Sequence, residues 1–599
     1  MNFPLIDCVV LAAYLIISFV AGICANKILK SSNKSADGYF LAGRSMPGWL
    51  TGISNAVTAM NADVAPAYVG VTLAVGLPVC WFYFSRFSLG VLLAGLLFFA
   101  RWRQLGVSTG PEFFSLRFGG NCGSFVRSYS SISSVLLGII PWTGAGLLGI
   151  HMIFSNFFGY TDKLTTLVII LPLLLIYVWV SGFAGVLVTD FIQTLVIVVS
   201  SIFICGAVLY HFGGPAELAA AVSNAFPAEQ SERIFSIWPQ QGNPVVSPAL
   251  VLIWFFLCSC GAGGSVGIEG QRVISCKNTG EAIKVSIWTQ AGLFVMLLLL
   301  TLPALGLLAD FPELHQASPQ ERESAYSILI NNYLPSGFKG LTLAALAAAV
   351  MSTVSSHLSY GAQTIVNDVL QPIFKISDDK KVWAGRMVMV GMMLLSVLVV
   401  YLSDSLLGIA ITLLGLFGSS ALIGWGYWWY WRINFCSWVA STIGGPCIYF
   451  IGKTLLSRWQ FWAEQKALSV THAQMMDVYW ALASMFLTTA FVLLVTFLTR
   501  PEKPEVLMNF YKRARPMGYW RPVQDMLRER GELREEPKHL ILGGVFTAVM
   551  GAVWINSFVM ALSKAYIGEY LDAFLFGIAA VVFAWFFKRF FNWQLRRLE

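Results

Sequence analysis

Apolar runs long enough to cross a bilayer recur along almost the whole chain, and this recurrence constrains the fold more than any other feature. About twenty apolar residues in a helix span about 30 Å of hydrocarbon. No water is available there to satisfy peptide groups, so such runs must be helical. About fifteen of them can be drawn, near 5–28, 48–76, 78–100, 126–156, 164–182, 186–210, 247–268, 282–308, 338–370, 382–403, 405–430, 436–455, 476–499, 540–562 and 567–587. Charge is scarce to match: 12% of the 599 residues are charged, about half of what soluble domains carry. The expected fold class is an all-α polytopic membrane protein.

The charges sort by loop. Lys27, Lys30, Lys34 and Arg44, then Arg101, Arg103, Arg117 and Arg127, fall in alternate loops. So do Arg272, Lys277 and a basic stretch from Arg500 to Arg530, whereas the opposite loops hold few. The positive-inside rule then places the N-terminus outside and the C-terminus in the cytoplasm of a multi-pass cell-membrane (plasma or inner membrane) protein. The net charge of +8 forms no single patch, so nucleic acid is not indicated. The ten cysteines show no CxxC or zinc-like pairing. Neither HExxH, GxSxG nor a P-loop is present, so no catalytic residues are expected and the chain does not read as an enzyme. Its opening has an acid before the apolar run and lysines after it, the reverse of a signal peptide, and reads as a retained helix. Residues 500–539 read as a solvated cytoplasmic linker.

Two spans are interrupted. "TGISNAVTAMNADVAPAYVGVTLAVG" (51–76) contains Asn55, Thr58, Asn61, Asp63 and Pro66, and "FFLCSCGAGGSVGIEGQR" (255–272) is broken by glycines before Glu269. Counted from the second span, these are the first and sixth helices. Interrupted segments at corresponding places of two halves point to a transporter of inverted repeats, with its sites at the breaks. The alternative is a pair of kinked helices with small packing residues.

Five stretches, in order, resemble the sodium:solute symporter family: "YFLAGRSMPGWLTGIS" (39–54), "TGPEFFSLRFG" (109–119), "YVWVSGFAGVLVTDFIQ" (177–193), "GQRVISCKNTGEA" (270–282) and "AAAVMSTVSSHLSYGAQTIVNDVL" (347–370). The resemblance implies a LeuT-type fold. An extra N-terminal helix (1–30) would precede a first inverted repeat (46–211) and a second (247–432). Additional helices would follow at 436–599, with a cytoplasmic loop near 500–539. It implies sodium-driven uptake of a small organic solute by alternating access, with Na⁺ as coupling ion and no obligatory protein partner.

"AVMSTVSSHLS" (349–359) carries five hydroxyls in eleven positions. At 100° per residue, Ala349, Ser352, Thr353 and Ser356 fall within an arc of about 100°. Hydroxyls and carbonyls bind a bare cation without fixed charge, so the ion can also leave. One helix face supplies too few oxygens alone; an unwound backbone supplies the rest. Carried over from the family, the main sodium site is the carbonyls of Val57, Met60 and Ala349 with the hydroxyls of Ser352 and Thr353. A second sodium, present in some members, maps to Asp190, Ser352, Ser355 and Ser356. Alternatively the serines bond back to the preceding turn, and Asp190 caps a helix beginning near Val188.

Charges inside a membrane default to functional hypotheses, and Asp63, Arg86 and Glu269 are the ones that stand out. Arg86 lies where sugar-carrying relatives have a galactose-binding glutamate. Leu293 stands where a galactose-contacting lysine falls, and Ala262 where a gating tyrosine falls. A guanidinium suits a carboxylate, so the expected solute is a monocarboxylate, sugar acid or sialic-acid-like molecule. It would also touch Ala59, Asn61, Asp63, Gly261, Ala262 and Gly263, with Gly264 beside them. The alternative is that Arg86 pairs with Asp63 and binds nothing. Glu269 reads as half of an inner-gate ion pair beside the Gln271–Arg272 turn, and His357 as a packed neutral imidazole. Competing functions are a sodium/neutral sugar symporter, a proton-coupled carrier using Asp63, Asp190 or Glu269, and a solute sensor of the same fold.

Overall fold

A computed structural model describes residues 4–29, 35–61, 64–158, 162–241, 243, 245–263, 267–402, 418–468, 470–534 and 539–598. Among them the structure is helical, with two isolated β-bridges and no strand. Eleven helices are long and apolar enough to cross a membrane.

Helix α1 (Leu5–Ile28) packs against the later helices α7 and α11. The span near 48–76 is two helices, α2 (Gly48–Thr58) and α3 (Val64–Val75). Its polar break carries Asn61, and Pro66 sits in the first turn of α3, where its missing N–H costs least. Next come α4 (Val79–Gln104), the short α5 (Glu112–Phe118) and α6 (Gly120–His151). Helix α7 (Lys163–Phe212) has 50 residues, about 75 Å and far more than one crossing needs. It is divided at Gly182, whose φ of 59° and ψ of −145° only glycine adopts readily. Tyr39 satisfies carbonyls that the kink frees: its hydroxyl donates to Val178 O (3.2 Å) and Trp179 O (3.1 Å). The two predicted spans 164–182 and 186–210 meet at this kink.

The second break separates α8 (Pro248–Gly261) from α9 (Ile268–Ser275). Helix α10 (Thr279–Asp310) follows, then α11 (Phe338–Phe374) and α12 (Asp378–Leu402). The first half of the predicted span 405–430 lies outside the described residues. Helices α13 (Phe435–Ser457), α14 (Val470–Leu498), α15 (Pro504–Ala514), α16 (Arg521–Glu529), α17 (Leu540–Tyr566) and α18 (Tyr570–Leu598) complete the chain.

Helix α11 is the axis. Its most apolar window is 94% buried, against 11% for α18. A helix covered by protein on every side can carry hydroxyls that a lipid-facing one could not. Its N-terminus is held by Asp7 of α1, whose buried carboxylate accepts from Gly337 N and Gly340 N, both at 2.6 Å. This anion sits at the positive end of the helix dipole.

The solvated linker expected over 500–539 is not what forms. Helices α15 and α16 bury Leu507, Phe510, Tyr511, Trp520, Val523 and Leu527 in a second core. Fully buried Arg117 of α5 lies beneath them, donating to Tyr427 O (3.1 Å), Tyr430 O (3.1 Å) and Trp431 O (3.2 Å). The aromatic positions of the segment recur at helical spacing, and tertiary packing uses them.

Candidate functional site

A helix ends with carbonyls that have no partner in the next turn. At the end of α2, Ala59 N turns back to Asn55 O (3.3 Å) and Ala56 O (3.2 Å), and Met60 N to Val57 O (3.0 Å). Thr58 O accepts from the hydroxyl of Thr353 at 3.1 Å, which also lies 3.2 Å from Ala349 O. The hydroxyl face of α11 is thereby seated on the unwound end of α2. Val57, Met60, Ala349, Ser352 and Thr353 are all buried. Each hydroxyl uses its hydrogen here and keeps acceptor lone pairs. Asn61 adds an orphan: it is buried, and among the described residues its Oδ1 has no hydrogen-bond partner. A Cβ on Gly146 would lie 3.1 Å from that oxygen. Among the described residues no cluster of His, Cys, Asp or Glu could hold a metal, so a cation here would be bound by neutral oxygens. The residues expected for the main sodium site fit that chemistry.

The second set is arranged differently. Asp190 lies inside α7, eight residues beyond the kink, so it does not cap a helix near Val188. Its carboxylate accepts from Ser352 (2.7 Å to Oδ1) and from Ser54 at Oδ2. Arg272 of α9 completes the cluster and, like Asp190, has no exposed side-chain surface. Its Nε donates to Ser54 Oγ (2.9 Å); its Nη2 donates to Thr58 Oγ1 (2.6 Å), Ser356 Oγ (2.7 Å) and Asp190 Oδ2 (3.3 Å). Ser355 turns back to Ser352 O (3.0 Å) and stands outside the cluster. Of the residues mapped to a second sodium, Asp190 and Ser356 thus hold the Arg272 guanidinium, Ser352 bonds Asp190, and Ser355 stands apart.

The same choice of partner corrects the reading of Glu269. Among the described residues it forms no ion pair and is exposed, because Arg272, three positions on, is turned to Asp190. His357 is packed as expected, with Nδ1 2.8 Å from Thr143 Oγ1.

Around the breaks, Ala59 and Gly261 are exposed, Ala262 is half-buried and Gly263 is buried. A Cβ at Gly261 would meet nothing within 4 Å, whereas one at Gly263 would strike the Trp425 ring at 2.7 Å. The Trp425 indole also donates to Cys260 O (2.8 Å) at the end of α8. Arg86 sits on α4 between α4 and α8, its guanidinium 3.5 Å from the Phe82 ring centroid and 4.2 Å from that of Trp254. One nitrogen donates to Phe82 O (2.7 Å), and no described carboxylate pairs with it. Trp254 lies seven residues before Gly261, about 10 Å along the helix, so Arg86 stands about two turns from the break. Asp63 and Gly264 lie outside the described residues, and with Asp63 the suggested Arg86–Asp63 pair. Leu293 is core.

Sequence reasoning missed Ser54, Thr58 as a cluster member, Arg272 as the partner of Asp190, and the two tryptophans. One signal was available: a buried acid in an apolar helix requires a cation. Nothing local says which cation it is.

The model of the sodium:solute symporter family matches residues 39–428. The sodium/glucose cotransporter 1 of Ovis aries is 24% identical over 417 residues, covering 64% of this chain and 61% of that protein. The sodium/glucose cotransporter of Vibrio parahaemolyticus is 24% identical over 399 residues, covering 64% and 72%. The chain thus spans about three fifths of the length of the mammalian relatives it matches. A solved Na⁺-coupled sialic acid symporter, in a substrate-bound outward-open state, superposes with a TM-score of 0.65 at 19% identity. That match covers 84% of this chain and all of the other, and it is a likeness of fold.

Proposed function

The chain belongs to the sodium:solute symporter family, a family of transporters and not enzymes, and from that premise we propose that it is a sodium-coupled symporter for a small carboxylate-bearing solute, working by alternating access. It is a multi-pass membrane protein of LeuT fold. In this reading the apolar runs make about fifteen crossings, and the loop charges favour the N-terminus outside and the C-terminus in the cytoplasm. The proposed repeats are 46–211 and 247–432, between the helix at 1–30 and those at 436–599.

The observation that carries this reading is the Thr353–Thr58 contact, which joins the hydroxyl face to the broken helix. Na⁺ would lie among the carbonyls of Val57, Met60 and Ala349 and the hydroxyls of Ser352 and Thr353, with Asn61 Oδ1 near. Because those ligands come from both α2 and α11, the ion favours the conformation that closes the two together. Arg86 supports a carboxylate: it is a ring-flanked cation about two turns from the break, with no described acid to neutralise it. Ala59, Asn61, Asp63 and Gly261–Gly263 would line the rest.

A second reading, a neutral sugar, is favoured by the sodium/glucose cotransporters among the relatives. The experiment that separates the two is thermal stability of the purified chain in NaCl against choline chloride, with carboxylates and neutral sugars. A ligand at about 100 times its Kd adds about 2.7 kcal/mol. A carboxylate that raises Tm only in sodium supports the proposal; a sugar that does so instead supports the second reading. Sodium acting no differently from choline would sink both.

A further inference from the structure

We propose that the space enclosed by the short helix Ile423–Trp429, α13 and α14 is a binding site for a small neutral amphiphile, the size of a benzene ring with one hydroxyl or amide group. The cavity holds about 150 Å³, and an apolar cavity of about that size accepts benzene. One wall is apolar and includes Ile423, Val492 and Leu493. The other carries the hydroxyls of Ser419, Ser420 and Thr488. Ser419 and Thr488 are 2% and 1% exposed, and among the described residues neither hydroxyl has a hydrogen-bond partner. Ser420 is already engaged: it donates to Ser441 O (2.8 Å) in the π-helical turn Ala440–Gly444 of α13.

Depth decides what can answer those two hydroxyls. The start of α13 and the end of α14 are tied side by side: the Asn434 amide donates to Thr499 Oγ1 and to Arg500 O, both at 2.8 Å. Ser441 lies six residues into α13 from Phe435, and Thr488 ten residues before Leu498, about 9 and 15 Å from that end. Both helices are apolar enough to cross a membrane, so the cavity lies in hydrocarbon, away from bulk water. A buried hydroxyl left unpaired costs about 1–3 kcal/mol. Two of them lining one small space call for a group that both donates and accepts. Neutrality follows from the lining, which among the described residues has no charged side chain. Leu493 lines the cavity and is 39% exposed, so the way in is from the lipid side. The wall helix also carries Trp425, which donates to Cys260 O at the second break. Cavity and break therefore share one helix.

The test is ligand-observed fluorine NMR on the full-length chain in phosphatidylcholine nanodiscs, with para-fluorophenol and fluorobenzene as probes and empty nanodiscs as the blank. Saturable one-site binding is expected, with the phenol held about tenfold tighter, the worth of one good hydrogen bond. Ser419→Ala/Thr488→Val removes both hydroxyls and nearly keeps the shape; it is expected to bind fluorobenzene and lose the preference for the phenol. Val492→Phe is expected to fill the space and lose both probes. Equal affinities on the native chain would overturn the proposal and leave the hydroxyls to trapped water. Absence of saturable binding would overturn it too, as would a preference that survives Ser419→Ala/Thr488→Val. The native-chain outcomes decide the matter whether or not Val492→Phe folds.

Discussion

Asp190 and Arg272 are buried together with no exposed side-chain surface, and the energetics of such a pair are asymmetric. Removing one partner strands the other in a medium that cannot solvate it, at a cost of about 3–5 kcal/mol, whereas removing both is far milder. We therefore expect Asp190→Asn in choline to lower Tm sharply, and Asp190→Asn/Arg272→Gln to recover much of the loss. Additive losses in the same melts would show that the pair is not coupled. Arg86 is the contrasting residue. Its rings and one carbonyl hold it without an acid, so Arg86→Ala is expected to abolish the carboxylate-dependent shift in Tm while leaving the sodium shift in place. Ser352→Ala, which alters the cation set, is expected to weaken both. Identical effects of the two substitutions would refute separate roles. Arg86 was legible in the sequence because a charge inside an apolar run is conspicuous. Its stacking on Trp254 was not, since the partners lie on different helices.

Helix ends and kinks decide which groups reach the centre. The kink of α7 at Gly182 separates two crossings, and a Cβ there would lie 2.4 Å from Tyr39 O. Glycine alone adopts that φ/ψ readily, and forcing another residue into such a region costs about 1–3 kcal/mol before the collision is counted. Gly182→Ala is expected to give little folded protein, read as yield of a monodisperse species in detergent. Normal yield and Tm would mean that the kink is dispensable. Likewise Asp7→Ala removes the carboxylate that caps α11 and is expected to cost about 1–2 kcal/mol, measured by thermal unfolding. The breaks themselves were readable, because polar residues, proline and clustered glycines interrupt a pattern that a bilayer otherwise makes uniform. The capping of α2 by a threonine 295 positions away was not.

Among the described residues two large cores are assembled beside a small third one: the first around α11, the second where α15 and α16 pack on α5 and the aromatic run near Trp428. Trp520 is central to the second, donating from its indole to Trp428 O at 2.8 Å. Arg117, outside the spans, lies under the same ring at 5.2 Å, and its burial pulls its pKa down to about 10. Trp520→Ala is expected to cost about 3–5 kcal/mol and to open 504–529 to protease. Unchanged proteolysis would show that this segment is held by something other than its aromatic core.

The all-helical class, the two breaks and the hydroxyl face follow from sequence alone. Each depends on a local rule: enough apolar residues to span hydrocarbon, and no tolerance for polar backbone except along a cavity. Partner choice is a different matter. Arg272 is three residues from Glu269 and 82 from Asp190, and by sequence distance alone the nearer acid was the better candidate. The fold reverses that preference by stapling α9 to α2 and α11, which turns the guanidinium inward to Asp190 and leaves Glu269 exposed. Which cation stands beside a buried acid is set by where three helices hold their side chains, and only the tertiary structure decides that.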